Sequence, residues 1–306
     1  HSFPNDALPI CDVAACDPAC HFHLPARLVS LAVREICRHA RRQLALAACI
    51  KGASCAISFC AEPQPVCTQH TRRVADSFCN QQVTFIVSIR ILIYGDSNSW
   101  GYLDDGLGTR FEGRWPVSMA AQLLADGHDI ELIEECLPGR TTNLDDPQEG
   151  AHFNGATPLR AILLSQQPLD HVLIMLGTND LKTRFARNAA DIVDAQISLA
   201  ATVAALPCGP GGWADAAPPA VTLICPPRLG ERADDPDWDR AAEWQNGRAT
   251  SALLPDLLAA AAQKAGTRYI DGNDHAVSSP LDPIHWTRDT HIAFGTAIAA
   301  YLAARL

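Results

Sequence analysis

The sequence contains no uncharged apolar run of 18 residues. Its best stretch, Leu44 to Cys60, is interrupted by Lys51, so no transmembrane helix and no membrane partner are expected. Basic residues are scarce: 24 Lys+Arg against 34 Asp+Glu leave a net charge of −10. A nucleic-acid binder would carry a basic face, so that partner class is excluded too. Methionine is confined to Met119 and Met175, and position 1 is histidine. No internal repeat is visible. Hydrophobic residues nevertheless make up 48% of the chain, enough for a real core and against global disorder.

Other scarcities are local and mark a break near residue 88. Residues 1–88 contain one glycine, Gly52, and no tryptophan, but nine of the twelve cysteines. Their 8 Lys+Arg and 6 Asp+Glu give a net of +2; residues 89–306 carry 16 against 28, a net of −12. Two segments this different are expected to belong to different structures. The division is placed at 84/85: a Cys-rich leader over 1–84, outside the functional fold and read as upstream or vector-derived sequence, and one domain over 85–306. A docked helical extension over 28–50 is the alternative. Cys16-x3-Cys20-His21-x-His23 has the residue types of a zinc site, but Cys55, Cys60, Cys67 and Cys79 supply no matching pair, and no metal is assigned. Arg41-Arg42 before Leu44 to Cys49 resembles a signal peptide only loosely and lies far from the N-terminus, so a cytoplasmic location is expected.

From residue 85 onward, strand-like and helical patterns alternate, as in a parallel α/β sheet. Strands are expected at Phe85–Tyr94, Ile130–Cys136, Val172–Leu176, Val221–Cys225 and Arg268–Asp271. Helices are expected at Trp115–Ala125, Thr157–Leu164, Ala189–Leu206, Asp239–Ala265 with a kink or break at Pro255, and within Thr287–Leu306. The charged stretch 228–238, carrying Trp238, reads as a mobile loop over the site.

In a parallel sheet all strand C-termini lie on one side, where open α/β sheets place their chemistry. Ser97, Gly139, Asn179 and the pair Asp282/His285 each follow a strand or close the last loop, so positions 40 to 188 residues apart can converge. These residue types suit acyl transfer. A serine hydroxyl becomes nucleophilic when a base takes its proton. His285 is that base, and Asp282, three residues earlier, can fix its tautomer. The backbone N–H groups of Ser97 and Gly139 and the amide of Asn179 can hold the developing oxyanion. No Gly-x-Ser-x-Gly occurs, which disfavours the strained elbow used by another class of serine enzymes.

Four blocks in order, Gly95-Asp-Ser-Asn-Ser-Trp-Gly101, Gly139, Gly177-Thr-Asn-Asp180 and Asp282-Pro-Ile-His285, resemble the SGNH (GDSL-type) hydrolases. The runs Glu134 to Asp146 and Met175 to Lys182 extend the similarity toward their bacterial arylesterase/acyltransferase branch. The resemblance covers roughly 89–306 and does not reach the leader. It implies a flavodoxin-like α/β sandwich around a five-stranded parallel sheet. It implies Ser97, His285 and Asp282 as nucleophile, base and orienter, and Ser97, Gly139 and Asn179 as the oxyanion hole. Trp100 matches a position beside the acyl pocket. The implied activity is hydrolysis of short-chain aryl or alkyl esters without cofactor, with acyl transfer to alcohols or peroxide in some members; related enzymes deacetylate sugars. Homo-oligomerisation is a further implication, with 207–240 as the candidate interface.

A narrow apolar channel of Trp100, Trp238 and Trp244 would favour aryl or alkyl esters, and an open groove with aromatic platforms would favour sugars. A non-catalytic binding module would show a damaged catalytic element, and none is visible. Asp96 and Asp180 read as loop-fixing residues, His291 as structural or at the rim, and Cys136 and Cys225 as inert core thiols. Arg140 reads as either a loop anchor or a contact for a substrate carboxylate. The carboxylates at 145–146 and 234–235 read as a solvated surface.

Overall fold

The computed structural model describes residues 88–211 and 215–306. The leader, with its cysteine and histidine cluster, and the first residues of the expected opening strand lie outside the described residues. Five strands form one parallel sheet: β1 (Ile89–Gly95), β2 (Ile130–Cys136), β3 (His171–Met175), β4 (Ala220–Cys225) and β5 (Arg268–Asp271), in the order β2-β1-β3-β4-β5. The strand order turns at β1, which pairs with β2 on one side and β3 on the other. Gly95 is level with Cys136 and with Met175. The C-terminal ends of β1, β2 and β3 therefore form one edge at the crossover, the crevice where doubly wound sheets bind ligands.

Alternate residues of β1 serve opposite layers. Leu92 and Tyr94 join a core with Leu159, Leu163, Ile192, Leu199, Leu254 and Leu258. Ile91 and Ile93 join a second core with Trp115, Met119, Phe294 and Ile298. The helices are α1 (Ser97–Trp100), α2 (Trp115–Ala125), α3 (Ala156–Gln166), α4 (Ala189–Ala204), α5 (Gly247–Ser251), α6 (Leu254–Ala265) and α7 (Arg288–Ala303), and all but α1 and α5 supply these side chains. Helices α3, α4 and α6 cover one face, and α2 and α7 the other. Each fully buried large apolar side chain contributes roughly 1.5–3 kcal/mol, so the central strands read as continuous apolar runs because both faces are covered. Among the described residues no helix is long and apolar enough to cross a membrane.

Local signals start the helices. Asn188 and Asp191 form a reciprocal capping box at α4, satisfying two otherwise unpaired backbone N–H groups. Thr287 caps α7 by accepting from Thr290 N at 3.2 Å, and Phe294 on that helix packs edge-on against Trp115 at 5.4 Å. This anchors the end of the loop that carries His285.

Two expectations are corrected. The described part of the first strand begins at Ile89, its expected start at Phe85 lying outside the described residues, and the edge strand β2 has the expected bounds. Asp239–Ala265 breaks before Pro255 into α5 and α6, as one of the two alternatives had it, but its start is a 3₁₀ turn at Ala241–Trp244 rather than α-helix. Pro255 opens α6 in its first turn, where its missing N–H has no intrahelical partner to lose. The 228–238 segment is tied down by Gly230 N donating to Pro283 O at 2.8 Å and Leu229 N to Ser251 Oγ at 3.1 Å.

Candidate active site

Strand β1 ends at Gly95, where an added Cβ would stand 2.2 Å from Ser99 Oγ. Only glycine lets the chain fold straight from strand into α1. Asp96 caps that helix by accepting from Asn98 N at 3.1 Å. Ser97 is thus held in the first turn of α1 at the sheet edge, 6% exposed. Burial pushes the Asp96 carboxyl up to about 6.

His285 Nε2 lies 3.0 Å from Ser97 Oγ, and His285 Nδ1 lies 2.7 Å from Asp282 Oδ2. With Nδ1–H donated to the carboxylate, Nε2 presents its lone pair to the serine hydroxyl. The second carboxylate oxygen, Oδ1, accepts from Ile284 N at 2.8 Å and His285 N at 3.2 Å. Burial works to raise the Asp282 carboxyl, but these bonds and the imidazole outweigh it and hold the group below the usual carboxylate range. The Tyr102 ring lies against the imidazole, centroids 4.4 Å apart.

Gly139 follows β2 with φ +88°, and a Cβ there would come within 2.8 Å of the Phe153 ring. Asn179, after β3, gives one amide proton to Arg140 O at 3.1 Å, leaving the other for a ligand. Ser97, Gly139, Asn179 and His285 line one cavity of about 170 Å³, together with Tyr102, Pro138, Lys182, Arg240, Trp244 and Ile284. A larger cavity, about 660 Å³, is lined by Arg228, Arg232 and Arg248 among others and contains none of Ser97, Asp282 and His285. Donors grouped around a serine paired with histidine can accept charge on a carbonyl oxygen as it becomes tetrahedral.

The model described as the GDSL-like Lipase/Acylhydrolase family matches residues 93–293, well over half of the chain. The chain belongs to the GDSL-like lipase/acylhydrolase family. Among solved structures, a carbohydrate acetylesterase from Sinorhizobium meliloti is 35% identical, the match covering 72% of this chain and 100% of that chain at a TM-score of 0.64. The native aryl esterase of M. smegmatis is 34% identical with the same coverage and TM-score. A putative arylesterase from Agrobacterium tumefaciens is 31% identical, covering 71% and 100% of the two chains at 0.61. No curated protein matches the chain. This GDSL-family chain is a carboxylic ester hydrolase.

The GDSL-family blocks all meet at the sheet edge, but two expected pocket residues do not line the cavity. Trp238 is 6% exposed and packs into the core with Trp244 and Leu258, because the turn before Ala241–Trp244 folds its indole inward. Trp100 lies outside the cavity lining, with the Arg110 guanidinium 5.5 Å from its ring centroid. The aromatic residues at the cavity are Tyr102 and Trp244, and the charged ones Lys182 and Arg240. Tyr102, Lys182 and Arg240 were not singled out by sequence. Lys182 lies within the run Met175 to Lys182, so its block was visible and its role was not. Tyr102 and Arg240 carry no spacing signal.

Arg140 is an anchor: its guanidinium donates to Gly95 O and Glu135 O and stacks 4.2 Å from the Tyr94 ring centroid. Asp180 accepts from Thr142 N at 2.9 Å and pairs with Arg187 at 3.0 Å, joining the loops after β2 and β3. Asp146 corrects the solvated-surface reading, being 4% exposed and 2.6 Å from Arg184. His291 is fully buried, its Nε2 3.3 Å from Tyr102 O, and burial lowers its pKa to about 4. Burial raises the thiols of Cys225, in the core, and of Cys136, half-buried on the edge strand, in keeping with inert residues. Among the described residues no group of three His, Cys, Asp or Glu side chains could hold a metal ion.

Proposed function

We propose that the chain hydrolyses short-chain acyl esters through an acyl-enzyme on Ser97. The observation that carries this reading is the unbroken line Asp282 Oδ2–His285 Nδ1, 2.7 Å, and His285 Nε2–Ser97 Oγ, 3.0 Å. Ser97 Oγ attacks the ester carbonyl as His285 takes its proton, and Asp282 stabilises the imidazolium. The carbonyl oxygen takes up negative charge beside the Ser97 and Gly139 N–H groups and the Asn179 amide. Collapse releases the alcohol, which receives the proton from His285. Water then repeats the sequence on the acyl-enzyme and frees the acid. An alcohol or peroxide in place of that water gives acyl transfer.

A cavity of about 170 Å³ is well below the roughly 300–1,000 Å³ of a drug-sized pocket. It suits a small acyl group, with the alcohol portion reaching toward solvent. The polar lining supports a second reading for the alcohol, a sugar, as in the carbohydrate acetylesterase that is 35% identical.

A series of p-nitrophenyl esters from acetyl to decanoyl, set beside acetylated sugars and an added alcohol acceptor, separates these activities. The expectation is fastest turnover at two to four acyl carbons, as an order-of-magnitude inference from cavity size, and none with Ser97→Ala. Turnover retained by that variant overturns the nucleophile. Three companion proposals have their own tests. A chain starting at residue 85 keeps activity. The protein forms a homo-oligomer through 207–240, which a monomer at micromolar concentration in light scattering rejects. It is cytoplasmic, which cell fractionation checks.

A further inference from the structure

Glu243, in the 3₁₀ turn Ala241–Trp244, has both carboxylate oxygens engaged. Its Oε1 accepts from Arg184 Nη1 at 2.9 Å, and its Oε2 from Arg240 Nε at 3.0 Å and Nη2 at 2.9 Å. Lys182 Nζ stands 3.7 Å from Oε1, beyond hydrogen-bond reach. The Lys182 side chain is only 7% exposed, and its ammonium makes no hydrogen bond among the described residues. It lines the same cavity as Ser97 and His285, with Nζ 5.6 Å from the Trp244 ring centroid.

An ammonium has three donors and no acceptor, and a buried charge is costly unless paired and hydrogen-bonded. The neighbouring carboxylates match the cations in number but leave the Lys182 donors without a hydrogen bond. Lys182, Arg184 and Arg240 surround Glu243, and Arg184 reaches one further buried carboxylate, Asp146, at 2.6 Å. The remaining acid, Glu149, is 3.7 Å from Arg184 and 55% exposed. Asp282 does not line the cavity and is taken up by His285 and its own loop. Burial, the leading influence, lowers the Lys182 pKa from the ordinary lysine range, the response of a cation short of partners. An ammonium with open donors therefore lines the cavity of the reacting centre, and Arg240 borders the same space.

We propose that Lys182 and Arg240 form an anion-recognition wall beside Ser97, and that the preferred substrates are esters carrying a carboxylate. This rests on Ser97 being the nucleophile of an esterase. The carboxylate can belong to either half of the ester, the acyl chain or the alcohol, and the recognition chemistry is the same. A charge-assisted hydrogen bond on a buried ammonium recovers donors that a neutral ester leaves unmet. A carboxylate-bearing ester is then held mainly in binding, with the scissile carbonyl left to the donors at Gly139 and Asn179.

The test uses the full chain and pairs of esters matched in shape. One arm places the charge on the alcohol, 4-acetoxybenzoate against 4-acetoxybenzamide. The other places it on the acyl group, the p-nitrophenyl half-ester of succinic acid against p-nitrophenyl butyrate, each corrected for uncatalysed hydrolysis. One arm is expected to favour the charged member by about tenfold or more in kcat/KM, through KM. The preference should shrink as salt is raised. Lys182→Met, which keeps the packing on Trp244 without the charge, should bring the ratio toward one, and Lys182→Arg should retain it.

No preference in either arm overturns the proposal, as does a preference that Lys182→Met leaves intact. If Lys182→Met does not fold, the wild-type ratio, its salt dependence and Lys182→Arg decide. Equal hydrolysis of charged and neutral esters defeats the anion wall alone. Hydrolysis of neither defeats the esterase reading, and the anion wall falls with it.

Discussion

The side-chain amide of Asn98 donates to the carbonyl of Ile284 at 3.1 Å, tying the turn that carries Ser97 to the loop that carries His285. The two ends of the reacting pair are 188 positions apart in sequence. This bond, together with Asp282 accepting from Ile284 N, sets where the imidazole stands relative to the serine hydroxyl.

Asn98→Ala should therefore misplace the pair without removing either member. The Ile284 carbonyl loses its partner in a buried setting, costing about 1–3 kcal/mol of stability. Turnover of p-nitrophenyl acetate should fall roughly ten- to a hundredfold in kcat, with a smaller change in KM. An unchanged kcat in a folded variant would show that the loop is held by other contacts.

Asp282→Asn should retain the fold and lose about 10⁴-fold in kcat, because an amide can hold the imidazole in the wrong tautomer and offers no charge to the imidazolium. The wild-type carboxyl is held below the usual range and stays ionised throughout the neutral region, so the acid limb of the wild-type rate profile does not report Asp282. Steady-state kinetics with the two proteins at matched pH checks this.

Gly139→Ala places a Cβ at φ +88° and within 2.8 Å of Phe153 Cε1. The backbone strain costs about 1–3 kcal/mol, and displacing the N–H should lower kcat by roughly 10²–10³-fold. Adding Phe153→Ala relieves the clash but not the dihedral angle. The double variant should recover thermal stability in part and turnover very little. Full recovery of turnover would remove the Gly139 N–H from the reaction.

The stability of the fold should show the titration of His291. The native imidazole stays neutral down to about pH 4, whereas an unfolded histidine accepts a proton below about 6.5. Between those values the unfolded state binds more protons, so this group's contribution is intact above 6.5 and is lost as pH falls toward 4. Asp96, raised to about 6 by burial, acts in the opposite sense, since the native state holds its proton more readily as pH falls from 6. A comparison with His291→Gln isolates the histidine. Its destabilisation by denaturant unfolding should be smaller at pH 5 than at pH 7.5 by about 2 kcal/mol. An equal difference at both pH values would contradict a neutral buried imidazole.

Much of the sheet was legible in sequence because the central strands are buried on both faces. Val172, Leu173 and Ile174, or Ile91 to Tyr94, have no polar position to blur the pattern. The Asp239–Ala265 segment was less legible, since a 3₁₀ turn and two short helices share the composition of one long helix, and only the packing of Trp244 and Leu254 into the core separates them. Ser97, Gly139, Asn179, Asp282 and His285 could be marked as candidates because their neighbours are constrained: a tight turn at Gly95, a left-handed glycine, and a three-residue step from Asp282 to His285.

The pocket walls were decided only by the tertiary structure. Trp100 and Trp238 have the size and position in sequence to shape a pocket, yet one turns into the core and the other lies outside the cavity lining. Tyr102, Lys182 and Arg240 look like ordinary loop residues until folding brings them beside Ser97. Sequence marked the candidate reacting groups and the strand ends that present them, because both depend on local backbone geometry and strict alternation. The charge that faces those groups depends on which long side chains from distant loops find a carboxylate partner, and that balance around Glu243 exists only once the loops after β3 and β4 have met.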